Sequence, residues 1–498
     1  MQRTVLIPLL ISATLALWTT VSACSGCQDR NEWTYAESDA GDAVTRDALP
    51  DTTAPDTDAG LDTHDGSAAD TADGSARPDV PESIGRPCWP MGGPDPQGTG
   101  QSACRGPSST AEVNQVFDRE FRLTESETFW WNMLRVGPGG TMYFAYGRHD
   151  PAPRVVRYEP STQTTDEFDI ALGDRELHDL AILSNDRVVA LESHTLSGGS
   201  TAVEARWYKP SGRIVDTERL PTPGEPEGRP GFVTDGERIW VTIDTETGKT
   251  RGYRLARDGA LKGMWTTDFP ASFAIDGDIL AGVSRRPVGP DSSIRVELRR
   301  PSDNQTVSLN DLGLDIDQPL DNSSATYTRP ILTADKLLVL INDAPRAPFQ
   351  WICRLPLSNL SSGKCIPIGQ RIDSQYRVDT LLVDAQLIGL HRRMIDFGSA
   401  PLASPTDRRP WMNVAHQDVV HIAADRRGQI YLISHADRTA DGSHELSAWS
   451  PDGQKDWSRT IDLPRPVDSM AVGNGSLYLT HFSADRNQVI RKVIRIGN

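Results

Sequence analysis

The sequence predicts an all-β fold in which eight similar units, each with about four short strands, form a ring. From Arg426 to His435, a polar turn containing Gly428 is followed by a strand of alternating large apolar residues. This pattern recurs at intervals of 40 to 58 residues, and its apolar strands open at Met142, Val188, Ile239, Ile279, Leu337, Leu387, Ile430 and Leu477. Repeats of this length and strand content are typical of β-propellers. We expect one propeller over residues 112–498, with eight four-stranded blades and seven as the alternative count.

Loop lengths distinguish the two faces of this ring. If the strands of a blade are named a to d from the axis outward, the second repeat joins a to b by SNDR and c to d by KPSG. The longer connections TLSGGS and PTPGEPEGRP join b to c and d to the next blade. The two kinds of connection lie on opposite faces of a propeller. We call the face of the short turns the compact face and the other the loop-rich face.

The eighth repeat predicts how the ring closes. It contains three strand-like stretches before Asn498, which would leave the edge of the last blade unpaired. The stretch from Val113 to Leu123 alternates like a strand and precedes the first blade. We expect it to pair with the C-terminal strand as the outer strand of the last blade.

The N-terminus is typical of an exported protein. Arg3 precedes an apolar run, VLIPLLISATLALW, that is too short for a stable membrane span and typical of a secretory signal. The four residues VSAC that end at Cys24 resemble the lipobox of bacterial lipoproteins. This resemblance implies that residues 1–23 are a signal peptide and that Cys24 carries the lipid. The alternative is an ordinary signal peptide with a chance cysteine.

Residues 24–83 are expected to form a disordered acidic tether. Residues 29–82 contain 15 acidic and 3 basic side chains, so most of the net charge of −17 lies in this segment and not in the propeller. A segment with so few apolar residues buries too little surface to offset its chain entropy. The sequence therefore predicts a location outside the cytoplasm, on a bacterial membrane. An aspartate directly after the lipidated cysteine retains some lipoproteins at the inner membrane. This chain has Ser25 at that position, which favours the outer membrane.

The remaining cysteines fit an oxidising compartment. Cys88 and Cys104 bracket a Gly- and Pro-rich stretch within residues 84–111, where a disulfide would compensate for the low apolar content. Cys353 and Cys365 lie on two successive strand-like stretches, and we expect a second disulfide between them. Cys27 is left over. Zinc binding by the other four cysteines is the weaker interpretation, since no two of them form a closely spaced CxxC pair.

Several third strands end in a turn of one type, seen in RYEPSTQ, WYKPSGR, RLARDGA and WSPDGQKDW. A further short match is TGK at Thr247 to Lys249. These turns resemble the repeats of pyrroloquinoline-quinone-type bacterial propellers. That group contains quinone-dependent dehydrogenases and non-enzymatic assembly lipoproteins. The chain lacks the regular tryptophan-docking motifs and the vicinal cysteine pair of the dehydrogenases, so we expect no quinone.

No P-loop, GxSxG, HExxH or EF-hand motif occurs. Polar residues instead recur at positions expected near the loop-rich mouth of the propeller channel. Four aspartates stand at the start of innermost strands, and four histidines stand at the end of second strands or just beyond. These residues are Asp179, Asp379, Asp418, Asp468, His194, His391, His435 and His481. A shared cavity lined by such carboxylates suits a hard cation or a hydroxyl-rich ligand. The alternative is that each aspartate accepts hydrogen bonds only from its own turn.

The function expected from these observations is that of a membrane-anchored binding or scaffold module, displayed as a monomer outside the cytoplasm. Its ligand would be a protein or a small molecule. The alternative is a hydrolase or lyase with its site at the loop-rich mouth, assisted by a divalent cation. No other cofactor is predicted. Nucleic acid is disfavoured, because the propeller is slightly acidic and has no basic run for phosphate contacts.

Overall fold

The computed structural model describes most of residues 86–497. The described ranges are 86–89, 101–122, 133–146, 153–170, 175–197, 199–222, 226, 230–245, 250–267, 271–285, 294–300, 302–314, 326–327, 330–342, 349–370, 379–383, 385–390, 398–403, 409–410, 419–435, 443–463, 467–485 and 488–497. Cys24, Cys27 and the predicted tether lie outside these ranges. Within them, no helix is both long and apolar enough to cross a bilayer.

The strands form eight antiparallel sheets, which are the predicted blades. Blades 1 to 4 contain β2 (Met133–Val136), β3 (Met142–Tyr146), β4 (Arg154–Glu159) and β5 (Thr164–Asp169); β6 (Glu176–Ile182), β7 (Val188–Thr195), β8 (Thr201–Tyr208) and β9 (Ile214–Leu220); β10 (Gly231–Thr234), β11 (Arg238–Asp244), β12 (Thr250–Ala256) and β13 (Leu261–Thr267); β14 (Ala271–Asp276), β15 (Ile279–Arg285), β16 (Ile294–Arg299) and β17 (Asn304–Ser308).

Blades 5 to 8 continue the same order. They contain β18 (Thr326–Tyr327), β19 (Ile331–Leu332), β20 (Lys336–Asn342), β21 (Phe349–Pro356) and β22 (Lys364–Gln370); β23 (Asp379–Val383), β24 (Gln386–Leu390), β25 (Gly398–Pro401) and β26 (Arg409–Pro410); β27 (Val419–Ala424), β28 (Ile430–His435), β29 (Ser443–Trp449) and β30 (Lys455–Asp462); β31 (Val467–Gly473), β32 (Ser476–Asp485), β33 (Gln488–Gly497) and β1 (Glu112–Arg122). In blade 5 the innermost strand is split into β18 and β19, which both pair with β20. The eight-blade prediction is therefore confirmed, with this one irregularity.

The ring closes by joining the two ends of the propeller in blade 8. Strand β1 pairs with β33 in an antiparallel ladder from Glu112 opposite Gly497 to Arg122 opposite Gln488. The order of strands in this blade is β1-β33-β32-β31, so β1 is the outer strand. The prediction from the alternation in this stretch is confirmed.

Apolar layers between neighbouring blades hold the ring together. Each blade faces both neighbours with the alternating residues of its strands. Burial is deepest in the inner part of the blades, and outer strands such as β5 and β30 are mostly exposed. The layers include Tyr143 and Leu180 between blades 1 and 2, Trp207 and Tyr253 between 2 and 3, Trp240 and Ile275 between 3 and 4, Val296 and Val339 between 4 and 5, Leu338 and Leu382 between 5 and 6, Ile388 and Trp449 between 6 and 7, Ile433 and Leu479 between 7 and 8, and Phe117 and Phe144 between 8 and 1. All eight interfaces of a closed ring are thus present.

Both predicted disulfides are formed. Cys353 and Cys365 oppose each other on β21 and β22 of blade 5. Cys88 and Cys104 join two stretches, residues 86–89 and 101–111, that together we call the cap. The cap lies on the compact face, because its backbone bonds to the ends of the inner strands and to the a–b turns of blades 1, 7 and 8. The sequence predicted this disulfide, but not that the segment covers the compact end of the propeller axis.

Candidate functional site

The predicted aspartates lie on innermost strands wherever they are described. Asp379 opens β23, Asp468 is the second residue of β31, and Asp179 lies in the middle of β6. Asp418 falls outside the described residues. That two of these carboxylates share a cavity therefore stays a prediction.

The predicted histidines occupy different environments. His194 is near the end of β7, opposite Ala202, and His435 ends β28, opposite His444. His481 opposes Val467 across β31 and β32, and only 1% of it is exposed. His391 lies outside the described residues. Of the four histidines, His194 is the one whose polar neighbours on the loop-rich side are described in detail.

Three innermost strands carry a β-bulge in their loop-rich half. The extra residue is His178 in β6, Val420 in β27 and Asp468 in β31. A bulge redirects side chains and is frequent beside functional sites. In blade 2, the bulged His178 places its Nε2 2.7 Å from Oγ of Ser193, on the neighbouring strand. The single-residue insertions leave no local signal in the sequence.

The carboxylate of Asp179 forms an ion pair with a buried arginine of the neighbouring blade. Arg135 on β2 is 4% exposed, and its Nη2 donates to Oδ1 of Asp179 at 2.6 Å. Its Nε also donates to the carbonyl oxygen of Leu180 at 2.6 Å. The same Oδ1 of Asp179 accepts from the backbone N–H of Leu180 at 2.7 Å. Asp179 therefore compensates a buried guanidinium that joins the inner strands of blades 1 and 2.

Five charged or titratable side chains gather at the loop-rich end of blade 2, and we call them the blade 2 cluster: Arg175, Glu192, His194, Glu204 and Arg206. Nη1 of Arg175 donates to Oε2 of Glu204 at 2.8 Å and lies 3.2 Å from Nδ1 of His194. Nε of Arg206 lies 3.5 Å from the same Oε2. Since a guanidinium only donates, Nδ1 of His194 accepts in this contact and Nε2 carries the ring proton.

Glu192 is the most deeply buried member of the blade 2 cluster, with 0% of its side chain exposed. The hydroxyl of Tyr208 donates to its Oε1 at 2.6 Å. Arg175 and Arg206 lie 3.7 Å and 3.6 Å from its Oε2. Removing a charge from water costs several kcal/mol, which such partners must offset. The two arginines and the two glutamates of the cluster balance in charge, and they form a polar surface between blades 1 and 2.

The cluster lies directly beside an apolar layer. Ala190 and Tyr208 belong to the layer between blades 1 and 2, and Ala190 pairs with Arg206. The strand alternation places Glu192 and Glu204, which oppose each other, on the same face of blade 2. Of the five members, His194 was the predicted one. Spacing could not assign the others, because Arg175 comes from a connection, Glu192 from a second strand, and Glu204 and Arg206 from a third strand. Among the described residues, no three His, Cys, Asp or Glu side chains form a group suited to hold a metal ion.

Several tyrosines and carboxylates outside this cluster have shifted pKa values. Burial, together with the charge of Glu167, raises the pKa of Tyr146 to about 12. On the compact face, burial raises the pKa of Asp186 in the a–b turn of blade 2. Burial also raises the pKa of Asp425, in the corresponding turn of blade 7. These groups support closure and turns and are not placed to act on a ligand at the loop-rich mouth.

Comparison with known proteins gives no family. No family model matches the chain, and no curated protein matches it. Solved propellers do resemble it. A prolyl endopeptidase shares 14% identity at a TM-score of 0.43, over 78% of this chain, which spans only 54% of that protein. A quinohemoprotein alcohol dehydrogenase from Pseudomonas putida HK5 shares 10% identity at a TM-score of 0.43, over 82% of this chain and 80% of the other. The propeller domain of the Trilobed protease from Pyrococcus furiosus shares 8% identity at 0.40, over 68% and 99%.

Proposed function

We propose that the protein is a lipid-anchored extracytoplasmic binding module that receives its ligand at the loop-rich face of the propeller. The observation that carries this proposal is the position of the cap. The chain's own N-terminal segment occupies the compact ends of the inner strands of blades 1, 7 and 8. Ligand sites favour concave places where several elements converge, and in this ring the loop-rich mouth is the end that the cap leaves uncovered.

The polar groups described around the inner strands of blades 1 and 2 fit a binding site better than a catalytic one. Arg135 and Asp179 compensate each other, and the members of the blade 2 cluster do the same. Because these charges already have protein partners of opposite sign, we infer a positioning role for them rather than proton transfer. Such paired groups instead give a rigid rim on which the longer loops can present ligand-binding residues.

Lipid anchoring rests on the lipobox at Cys24. One aliphatic and two small residues, Val21, Ser22 and Ala23, precede this cysteine after a secretory signal, and two disulfides fit an oxidising compartment. We expect the mature wild-type chain to begin at Cys24 with acyl groups attached, and C24S to leave the membrane fraction. Mass spectrometry of the N-terminal peptide and fractionation measure this. An unmodified Cys24 in the mature protein would contradict the anchor while leaving the binding proposal standing.

Ligand binding can be tested by thermal unfolding of the purified full chain. The probes are Ca²⁺, Mg²⁺ and Mn²⁺ and a set of neutral and acidic oligosaccharides, which represent the hard cation and the hydroxyl-rich ligand. At 100 times Kd, we expect a saturable rise in Tm of about 3 °C with at least one probe.

Two variants locate the binding site. D179N changes a predicted ligand residue in the middle of the inner strand β6 and should reduce the shift, measured against its own unliganded Tm. D335N, in the exposed a–b turn of blade 5 on the compact face, should leave it unchanged. If D335N abolishes the shift and D179N does not, the site is on the compact face and the proposal is wrong. Turnover of a probe would favour the hydrolase or lyase alternative.

A further inference from the structure

The cap is attached to the propeller by backbone hydrogen bonds from both of its stretches. In the first stretch, the N–H and carbonyl groups of Trp89 each bond to Val136 at 2.8 Å, extending the end of β2 in blade 1. In the second stretch, the N–H of Ser102 donates to the carbonyl of Ala424 at 2.7 Å, at the end of β27 in blade 7. The two stretches therefore hold opposite sides of the junction around blade 8.

Blade 8 is held by the same segment. The N–H of Gly475, in the a–b turn of blade 8, donates to the carbonyl of Arg105 at 2.9 Å. The hydroxyl of Ser102 lies 3.3 Å from the carbonyl of Val472 and 3.1 Å from that of Cys88. Ser102 thus connects the inner strand of blade 8 to the other stretch of the cap, beside the disulfide.

A buried aspartate fixes the second stretch on blade 7. Asp425 is 2% exposed, and its Oδ2 accepts from the N–H of Gly106 at 2.9 Å. Gly106 packs against the ring of Tyr431 so closely that any Cβ at this position would overlap the phenol. The backbone carbonyl oxygen of Cys104 accepts from the N–H of Arg426 at 3.0 Å. Glycine is therefore required for the close approach, and the contact depends on the exact placement of residues 104–106.

Several apolar side chains of the cap pack on the propeller. Cys88, Trp89 and Ala111 belong to the core cluster, Cys104 packs against it, and Pro87 and Pro107 are buried. The backbone hydrogen bonds of the cap are also buried, and each contributes only modest net stability. The disulfide, which closes a loop with a sequence separation of 16, adds the covalent constraint that keeps the two stretches in register.

The two disulfides differ in access to reagents. Cys353 and Cys365 are 0% and 4% exposed, and both lie within one blade. Cys88 is 1% exposed, but Cys104 is partly exposed at the surface of the cap. Thiol–disulfide exchange needs an attacking thiolate to reach one of the sulfurs. The cap disulfide is therefore the one that a dithiol in solution can reach first.

We propose that the Cys88–Cys104 disulfide is a redox-sensitive lock that holds the cap on the compact face, and that its reduction releases the cap while the ring stays closed. A thiolate of an external dithiol attacks Sγ of Cys104, and Cys88 leaves as a thiolate and takes up a proton. The second thiol of the reagent then displaces Cys104, and the reagent departs as its own disulfide. The β1–β33 ladder does not involve either cysteine, so blade 8 keeps its four strands.

Hydrogen exchange followed by mass spectrometry can test this lock directly. Three propeller amides, those of Val136, Arg426 and Gly475, donate to carbonyls of the cap. The full chain carrying C24S, C27S, C353S and C365S keeps only the cap disulfide, and tris(2-carboxyethyl)phosphine or dithiothreitol reduces it. Reduction should speed exchange at these three amides by about a hundredfold, the factor that the chain-entropy model gives for a loop of this size.

Matched controls distinguish cap release from general loosening. The amides of Gly259 and Gly453 close c–d turns of blades 3 and 7 on the same face and do not bond to the cap. They should exchange at the same rate with and without reductant. A second variant, C24S, C27S, C88S and C104S with the blade 5 disulfide intact, should show fast exchange at Val136, Arg426 and Gly475 without any reductant.

The outcomes separate three cases. Fast exchange confined to the three reporter amides supports the lock. Unchanged exchange at these amides, in reduced protein and in the second variant, shows that the cap holds without its disulfide and overturns the proposal. Fast exchange at Gly259 and Gly453 as well shows that the disulfide supports the whole ring, which also overturns it.

Discussion

Replacing Phe117 with alanine is expected to lower the free energy of unfolding by about 3–5 kcal/mol, the usual cost of removing a buried phenylalanine from a core. Phe117 lies on β1 and is 6% exposed. Its ring centroid is 5.7 Å from that of Phe144 and 5.1 Å from that of Tyr146, both on β3 of blade 1. The side chain therefore connects the strand that closes the ring to the first blade. Urea unfolding followed by tryptophan fluorescence measures the change.

The same strand offers a matched control. Val113 on β1 is 43% exposed, and V113A should change the free energy of unfolding by no more than about 0.5 kcal/mol. Both substitutions remove apolar atoms from the same strand, so propensity effects are similar. Equal losses in F117A and V113A would contradict the packing of β1 against blade 1.

The polar contacts around Phe117 add to this interface. Nη1 of Arg119 donates to the hydroxyl of Tyr146 at 2.9 Å, and its Nη2 donates to Glu167 at 2.6 Å. These groups are partly exposed, so the ion pair contributes little by itself. The aromatic layer supplies most of the stability of this closure.

The repeat and the closing strand could be predicted because both depend on short-range alternation. Strand β28 carries large apolar residues at alternate positions, such as Ile430 and Leu432, after a turn at Gly428, and the same local pattern identifies the second strands of the other blades. Strand β1 was predicted over Val113–Leu123 and is observed over Glu112–Arg122. The last blade had an unpaired edge, and a strand before the first blade had no other predicted partner. Pairing these two was therefore the simplest prediction.

The cap and the site could not be predicted in the same way. Residues 101–111 have no apolar period, and their position depends on backbone bonds to turns more than three hundred residues away in sequence, such as that of Ser102 to Ala424. Arg135 was not a candidate, because a single arginine between Leu134 and Val136 carries no motif. Its ion pair with Asp179 depends on how two blades meet, and spacing within either repeat does not encode this.

The functional proposal depends on architecture more than on any one side chain. The cap lies on the compact face, and paired charges surround the inner strands of blades 1 and 2. We therefore propose the loop-rich mouth as the place where the ligand binds. Of the predicted residues there, Asp179 and His194 have described polar partners. Asp418 and His391 lie outside the described ranges, so their role rests on the sequence.

The two ends of the propeller meet in one blade, where β1 pairs with β33. A designed disulfide between these two strands tests this pairing. Asp118 on β1 opposes Lys492 on β33, and their side chains form an ion pair of 3.1 Å at a partly exposed position. Opposed residues of antiparallel strands have the Cα separation that a disulfide needs. In a C24S, C27S background, D118C with K492C should cross-link on mild oxidation and raise the free energy of unfolding by up to about 5 kcal/mol, since the bond closes a very long loop.

The measurement is the mass of the disulfide-linked peptide, together with migration on a denaturing gel with and without reductant. D118C with K336C, which places the second cysteine on β20 of blade 5, is the control and should remain uncross-linked. We expect near-complete cross-linking of D118C with K492C and none of D118C with K336C. A first pair that stays reduced in folded protein would contradict the closure of the ring.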